Sequence, residues 1–149
     1  MDRTDYQILN ILQKDCRATL KSIGDQVGLT APAVSERARR MEEQGIIRGY
    51  HIDVDYERLN CNMTGFIYVA LEPEKYNDFC KFCQNEPSII SHYHIIGVFN
   101  ALLRFAVPGT QDLDALLSKI KHYGDSQTSI ALKTYFDSKD IPIPSQPSK

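Results

Sequence analysis

The chain has 149 residues and a formal net charge of −2, and its 42% hydrophobic content suffices for a packed core and excludes global disorder. A general polycation is excluded too: residues 1–50 carry 8 Lys+Arg against 7 Asp+Glu, and residues 51–149 carry 9 against 12. Any affinity for nucleic acid must therefore come from local placement of arginines rather than bulk charge.

The start, Met-Asp-Arg-Thr-Asp, lacks the basic segment and apolar run of a signal peptide. The longest apolar stretch, Gly65 to Leu71, falls far short of the roughly 20 residues of a membrane span. A cytoplasmic protein without membrane attachment is expected, its four cysteines reduced.

In the first helix Asp2 or Thr4 is the cap, Thr4 and Gln7 have capping-box spacing, and Ile8, Leu9, Ile11 and Leu12 form the buried face before Asp15-Cys16-Arg17 ends it. Thr19 caps a second helix with Leu20, Ile23 and Val27 in register, and Gly28-Leu29 makes a tight turn. The third helix carries its own punctuation. Thr30 suits the N-cap, Pro32 the first turn and Gly45 the left-handed C-terminal position. Val34, Ala38 and Met41 make one narrow apolar stripe, with Ser35, Glu36, Arg37, Arg39 and Arg40 off it.

Alone, this stretch reads as any amphipathic surface helix. Behind two short helices and a Gly-containing turn, it reads as the recognition helix of a helix–turn–helix. The candidate DNA-contacting residues are Thr30, Ala31, Pro32, Ala33, Ser35, Glu36, Arg37, Arg39 and Arg40. Ala33, Ser35, Glu36 and Arg37 are expected at base edges of double-stranded DNA, and Arg39 or Arg40 nearer phosphate.

Ile46 to Val54 looks extended, as a short wing or connecting strand, and closes a domain over 1–54. Polar residues 55–62 read as a hinge. From Met63 the texture becomes β-rich. Strands are expected at Met63–Glu72, Ile89–Ile96, Ala101–Val107 and Ser129–Phe136, with one helix opened by Pro73 and another carrying Leu113, Leu116, Leu117 and Ile120. The class is α+β, a helix–turn–helix domain followed by a ferredoxin-like βαββαβ domain over 63–137. Phe66 and Tyr68 share one face of the first strand and Ile67, Val69 and Leu71 the other, so both faces of the sheet are expected to be covered. The proline-rich end, 138–149, reads as an extended, mobile tail.

Other constellations carry less. Cys80-x-x-Cys83 lies on an apolar helical stripe, where free cysteine behaves as a small hydrophobe, although His92 and His94 are candidate partners for a metal. The two histidines alternate on one strand face with Ile90 and Ile96 and read as residues of a sheet or subunit surface, partly hydrogen-bonded. No nucleophile–base pair, phosphate loop, paired carboxylates or cofactor motif is recognisable.

The run Leu29 to Tyr50, with Ser35-Glu36-Arg37-Ala38-Arg39-Arg40-Met41-Glu42 and Gly45-Ile46-Ile47-Arg48-Gly49-Tyr50, resembles the recognition helix and exit of the Lrp/AsnC, or feast/famine, transcription regulators. Asp5, Ile8, Leu9, Leu12, Asp15 and Arg17 are similar to that family's first helix, and the likeness spans essentially the whole chain. It implies a nucleoid-associated regulator whose C-terminal domains pair into dimers and assemble further, often to octamers. It also implies a free amino acid bound between dimers, at a loop corresponding to Gly97, Val98, Phe99, Asn100, Ala101 and Leu102. His94, Ile96, Ser126, Gln127 and Thr128 complete the implied lining. Asn100 stands where relatives usually have Asp, and the carboxamide is expected to weaken a generic amino-acid ligand by roughly tenfold or to change which ligand fits. Two other readings share parts of this pattern: an effector-independent DNA-packaging protein, and an enzyme of ferredoxin-like fold with an accessory helical domain.

Overall fold

The computed structural model describes residues 1–143, and the chain divides into two compact units. The first is Met1–Asp53 together with the described residues from Phe136 onward; the second is Val54–Tyr135.

The first unit is built on α1 (Arg3–Lys14), α2 (Leu20–Val27) and α3 (Ala31–Glu43). Their shared core is Ile8, Ile23, Val34 and Met41, with Leu9, Leu12, Val27, Leu29 and Ile47 packed around it. Asp2, not Thr4, caps α1, in a reciprocal box: Asp5 donates its backbone N–H to Asp2 Oδ1 at 2.9 Å, and Asp2 donates its own to Asp5 Oδ2 at 2.8 Å. Thr19 Oγ1 accepts from Ser22 N–H at 3.1 Å, and Gly28, at φ 71°, ends α2 in the left-handed region. The turn into α3 passes so close that a Cβ on Gly24 would lie 2.4 Å from the Leu29 carbonyl oxygen, which leaves room for glycine only. Thr30 caps α3 as expected, accepting from Ala33 N–H at 3.4 Å, and Gly45, at φ 69°, follows its C-cap. Thr30→Ala is expected to lower the stability of this unit by about 0.5–1 kcal/mol, the modest end for a lost cap because the bond is long; thermal melting of the two proteins measures it.

The expected wing does not form: no strand occurs within 46–54. The segment has no ladder partner; it is tied down by Ile46 and Ile47 N–H on Met41 O, by Tyr50 O–H donating to Glu42 Oε1 at 2.8 Å, and by Cys16 Sγ donating to His51 O at 3.8 Å. Burial first, and then that bond, push the Tyr50 phenol up to about 12. The tail is also not free at 141. Gln13 Nε2 donates to Ile141 O at 3.1 Å and Gln13 Oε1 accepts Ile141 N–H at 2.9 Å, while 144–149 lie outside the described residues.

The second unit is β1 (Met63–Leu71), α4 (Tyr76–Asn85), β2 (Ile89–His94), β3 (Ala101–Val107), α5 (Thr110–Ile120) and β4 (Gly124–Ile130). All pairings are antiparallel in the order β2-β3-β1-β4, the ferredoxin-like arrangement. Ile67, Val69, Leu71, Leu103, Phe105 and Val107 pack beneath Phe79, Cys83, Leu113, Leu116 and Ile120 of the helices. Phe66 and Tyr93, on the opposite face, are exposed, so helices cover one face of the sheet and leave the other open in the single chain.

The last strand lies earlier than Ser129–Phe136. β4 is polar, and its register with β1, Gly65 opposite Ile130 through Leu71 opposite Gly124, defines it without an apolar pattern. After Ile130 one further bond, Ala131 N–H to Thr64 O, continues the pairing. Among the described residues no helix is long and apolar enough to cross a membrane.

Candidate nucleic-acid interface and effector loop

Val34, Ala38 and Met41 turn one side of α3 into the core, and Thr30, Pro32, Ser35, Glu36 and Arg39 occupy the outer side, with Ala31 and Ala33 half-buried at its edge. Arg39 is held on that surface by Glu36, at 2.6 and 3.0 Å, and by Glu43. The Glu36 carboxyl is held below its ordinary value by the Arg39 hydrogen bond and charge. Exposed pairs of this kind contribute little and exchange readily for another partner.

Arg37 and Arg40 are placed differently. The Arg37 side chain is 26% exposed, and its Nη1 donates at 2.7 Å both to Asp2 Oδ2 and to Asp5 Oδ1. Arg40 Nη2 reaches the two Asp5 oxygens at 3.1 and 3.2 Å. Burial opposes ionisation of Asp5, but the Asp2 backbone N–H and the Arg37 guanidinium outweigh it and hold the carboxyl below its ordinary value. Arg37, expected at base edges with Ser35 and Glu36, is thus engaged by Asp2 and Asp5 along the α1–α3 seam. Asp2 and Asp5 were missed as members of this cluster. Their i, i+3 spacing at the start of α1 is a cap signal that does not announce a second task.

In the second unit the implied effector residues are spread over three directions. His94 and Ala101 stand opposite each other on the helix-covered face, where the His94 ring meets Tyr76 edge-on at 5.3 Å. Leu102 and Gln127 flank Tyr68 on the open face, and the Phe99 ring lies 5.8 Å from that of Tyr68. Ile96 and Val98 project from the connection almost fully exposed, around Gly97 at φ 154°. Ser126 and Thr128 pair with Val69 and Ile67. Tyr68, absent from the expected lining, links Phe99, Leu102 and Gln127; strand alternation could have found it through Phe66.

Asn100 anchors the connection. Its Oδ1 accepts Leu71 N–H at 2.7 Å, its Nδ2 donates to Leu71 O at 3.1 Å, and its backbone N–H donates to Val69 O at 3.1 Å. Ile95 N–H donates to Asn100 O at 3.1 Å. The carboxamide therefore completes the end of β1 as a short pseudo-strand, with both its oxygen and its nitrogen engaged by the Leu71 backbone.

The histidines also differ from expectation. His92 lies under α4 with its ring 5.4 Å from Phe79, and its buried Nε2 has no hydrogen-bond partner; burial, then the neighbouring His94, depress its pKa. Ile96 falls beyond the strand. Among the described residues no three His, Cys, Asp or Glu side chains converge as a metal site, so Cys80, Cys83, His92 and His94 do not form one. Burial, then Cys80, push the Cys83 thiol up to about 12.

Comparison with known proteins agrees with this geometry. Residues 1–42 match the AsnC-type helix-turn-helix domain, and residues 64–141 match the Lrp/AsnC ligand binding domain. The HTH-type transcriptional regulator YezC of Bacillus subtilis is 31% identical over 90% of this chain and 95% of its own length. LrpB of the same organism is 31% identical over 89% of each chain. A transcriptional regulator from Neisseria meningitidis, solved as a complex with L-Met, superposes with a TM-score of 0.86 at 25% identity, over 95% of this chain and 96% of that one. With both domains matched in order, each on the unit whose geometry suits it, the chain belongs to the Lrp/AsnC family of helix–turn–helix transcriptional regulators.

Proposed function

We propose that this regulator reads operator DNA through the first turns of α3 and couples that reading to assembly, and to an amino acid, through the 63–130 sheet. The observation that carries the proposal is the outer side of α3: a capped helix on a helix–turn–helix core that exposes Thr30, Pro32, Ser35 and Glu36, with Ala31 and Ala33 at its edge; in this reading these six meet the groove. Arg39 is the phosphate contact, reached by exchanging its exposed carboxylate partners. With a near-neutral first unit, tethering several copies in one assembly raises effective concentration on DNA.

The open sheet face, with Phe66, Tyr68, Tyr93 and Leu102, suits a second copy related by a two-fold axis, and dimers of that kind assemble further, to an octamer in this reading. The methionine bound by the Neisseria regulator supports an amino acid as effector, at the connection 95–100 with Phe99 and Gln127 near it. In this reading the protein works in the cytoplasm on the nucleoid, as a regulator and not as an enzyme.

Duplex selection from a random pool, followed by mobility shift with and without each of the twenty amino acids, tests the reading. A preferred duplex whose retention changes with one amino acid is the expected result. Retention indifferent to all twenty assigns the chain to DNA packaging, and no retention removes the DNA reading. Light scattering should give a dimer or larger; a stable monomer at micromolar concentration removes the avidity argument.

A further inference from the structure

Asp5 is the one charged side chain with no exposed surface among the described residues, and it sits in the seam between α1 and α3. Three donors converge on its two oxygens: the Asp2 backbone N–H at 2.8 Å, Arg37 Nη1 at 2.7 Å, and Arg40 Nη2 at 3.1 and 3.2 Å. The same Arg37 nitrogen reaches Asp2 at 2.7 Å, so Arg37 closes a ring of groups at the first turn of α1. The apolar contacts of Ile8 with Val34 and Met41 hold the helices together but have no directional preference. Charge-assisted hydrogen bonds do have one, and lose strength over a few tenths of an ångström. They are the elements able to set the rotation and pitch of α3 about its buried stripe.

We infer that Arg37 is a positioning residue for DNA recognition: clamped by Asp5 and Asp2, it orients α3 for the groove and touches no base. The inference rests on α3 being the DNA-reading helix. On an ideal helix Arg37 lies roughly 60° from the centre of the Val34–Ala38–Met41 stripe, on the α1 side, whereas Ser35, Glu36 and Pro32 lie across from it. Base readout demands close alignment of donors and acceptors, while non-specific binding to phosphates tolerates a rotated helix. Loosening the clamp therefore reduces the preference for operator over random DNA.

The test uses a duplex selected from a random pool by the full wild-type chain. Affinity is measured for that duplex, each of its single-base-pair variants and a random duplex, with wild type, Asp5→Asn, Arg37→Met and Arg37→Lys. Asp5→Asn and Arg37→Met change the local charge in opposite directions, yet both should lower the selected-to-random preference by tenfold or more, spread across base pairs. Arg37→Lys should retain most of it, since an ammonium also reaches both carboxylates. An undiminished or stronger preference in Asp5→Asn, or relaxation at a single base pair in Arg37→Met, overturns the inference and makes Arg37 a base reader. Equal loss on both duplexes, with the salt slope reduced by about 1, overturns it in favour of a phosphate contact. Should Asp5→Asn not fold, Arg37→Met decides by the same comparison. A wild type that selects no duplex rejects the DNA reading itself, which is a separate outcome.

Discussion

Arg37→Met is expected to destabilise the first unit by about 3 kcal/mol, read from hydrogen exchange of α1 and α3 amides in the full chain. Removing one partner of a buried pair leaves a charge without compensation, which costs about 3–5 kcal/mol; the low end applies because Arg40 still reaches Asp5. Arg39→Met removes two ion pairs from the same helix and should leave exchange unchanged, because both are exposed. Two ion pairs are lost in either variant, so burial of the carboxylate, and not the number of salt bridges, is expected to decide stability along α3.

The same cluster sets an acid dependence. The Asp5 carboxyl, ordinarily at 3.8, is held lower in the folded chain, with burial opposed and outweighed by the Asp2 N–H and Arg37. Its stabilisation is present above 3.8 and is lost as the pH falls through the depressed value. In Asp5→Asn that component of the acid transition should vanish. An acid profile of α1 exchange identical in wild type and Asp5→Asn would count against the network's energetic role.

The three N-terminal helices were legible because local signals agreed with the packing: Thr19 and Thr30 as caps, Gly28 and Gly45 at positive φ, and Val34, Ala38 and Met41 as a buried stripe. What the chain did not disclose is what long-range pairing decides. β4 is Gly-Asp-Ser-Gln-Thr-Ser-Ile, a strand by virtue of its ladder with β1, while the apolar Leu132, Tyr135 and Phe136 that looked more strand-like stay exposed. Edge strands with one buried neighbour need no alternation of their own. Arg37 was partly legible. Its angular place beside the stripe follows from helical geometry, but its commitment to Asp2 and Asp5 spans more than thirty residues. Apolar residues on both sheet faces were read correctly from β1, yet helices cover only one of them within the chain.

Asn100→Asp is expected to release the 95–100 connection rather than to create a better amino-acid site. From the residue type alone, a carboxylate there promised a charge-assisted bond to an ammonium. In the fold, the carboxamide uses both of its functions on one residue: Oδ1 takes the Leu71 N–H and Nδ2 serves the Leu71 carbonyl. An ionised aspartate can still accept the first bond, but it places oxygen against oxygen in the second, beside a Leu71 that is almost wholly buried. Leaving such an acceptor unserved costs about 1–3 kcal/mol. That is enough to open the Ile95–Asn100 and Asn100–Val69 pairings that shape the connection. On protonation the introduced carboxyl would regain a donor, so its pKa should rise, and the defect should be present above that raised value and fade as the pH falls through it. The measurement is amide exchange at Ile95 and Leu71 in both proteins, with calorimetry against all twenty amino acids. Faster exchange and weaker binding in Asn100→Asp at neutral pH, both recovering on acidification, is the expected result. Unchanged exchange together with tighter binding of any amino acid would show that the position faces the ligand, and that its bond to Leu71 is dispensable.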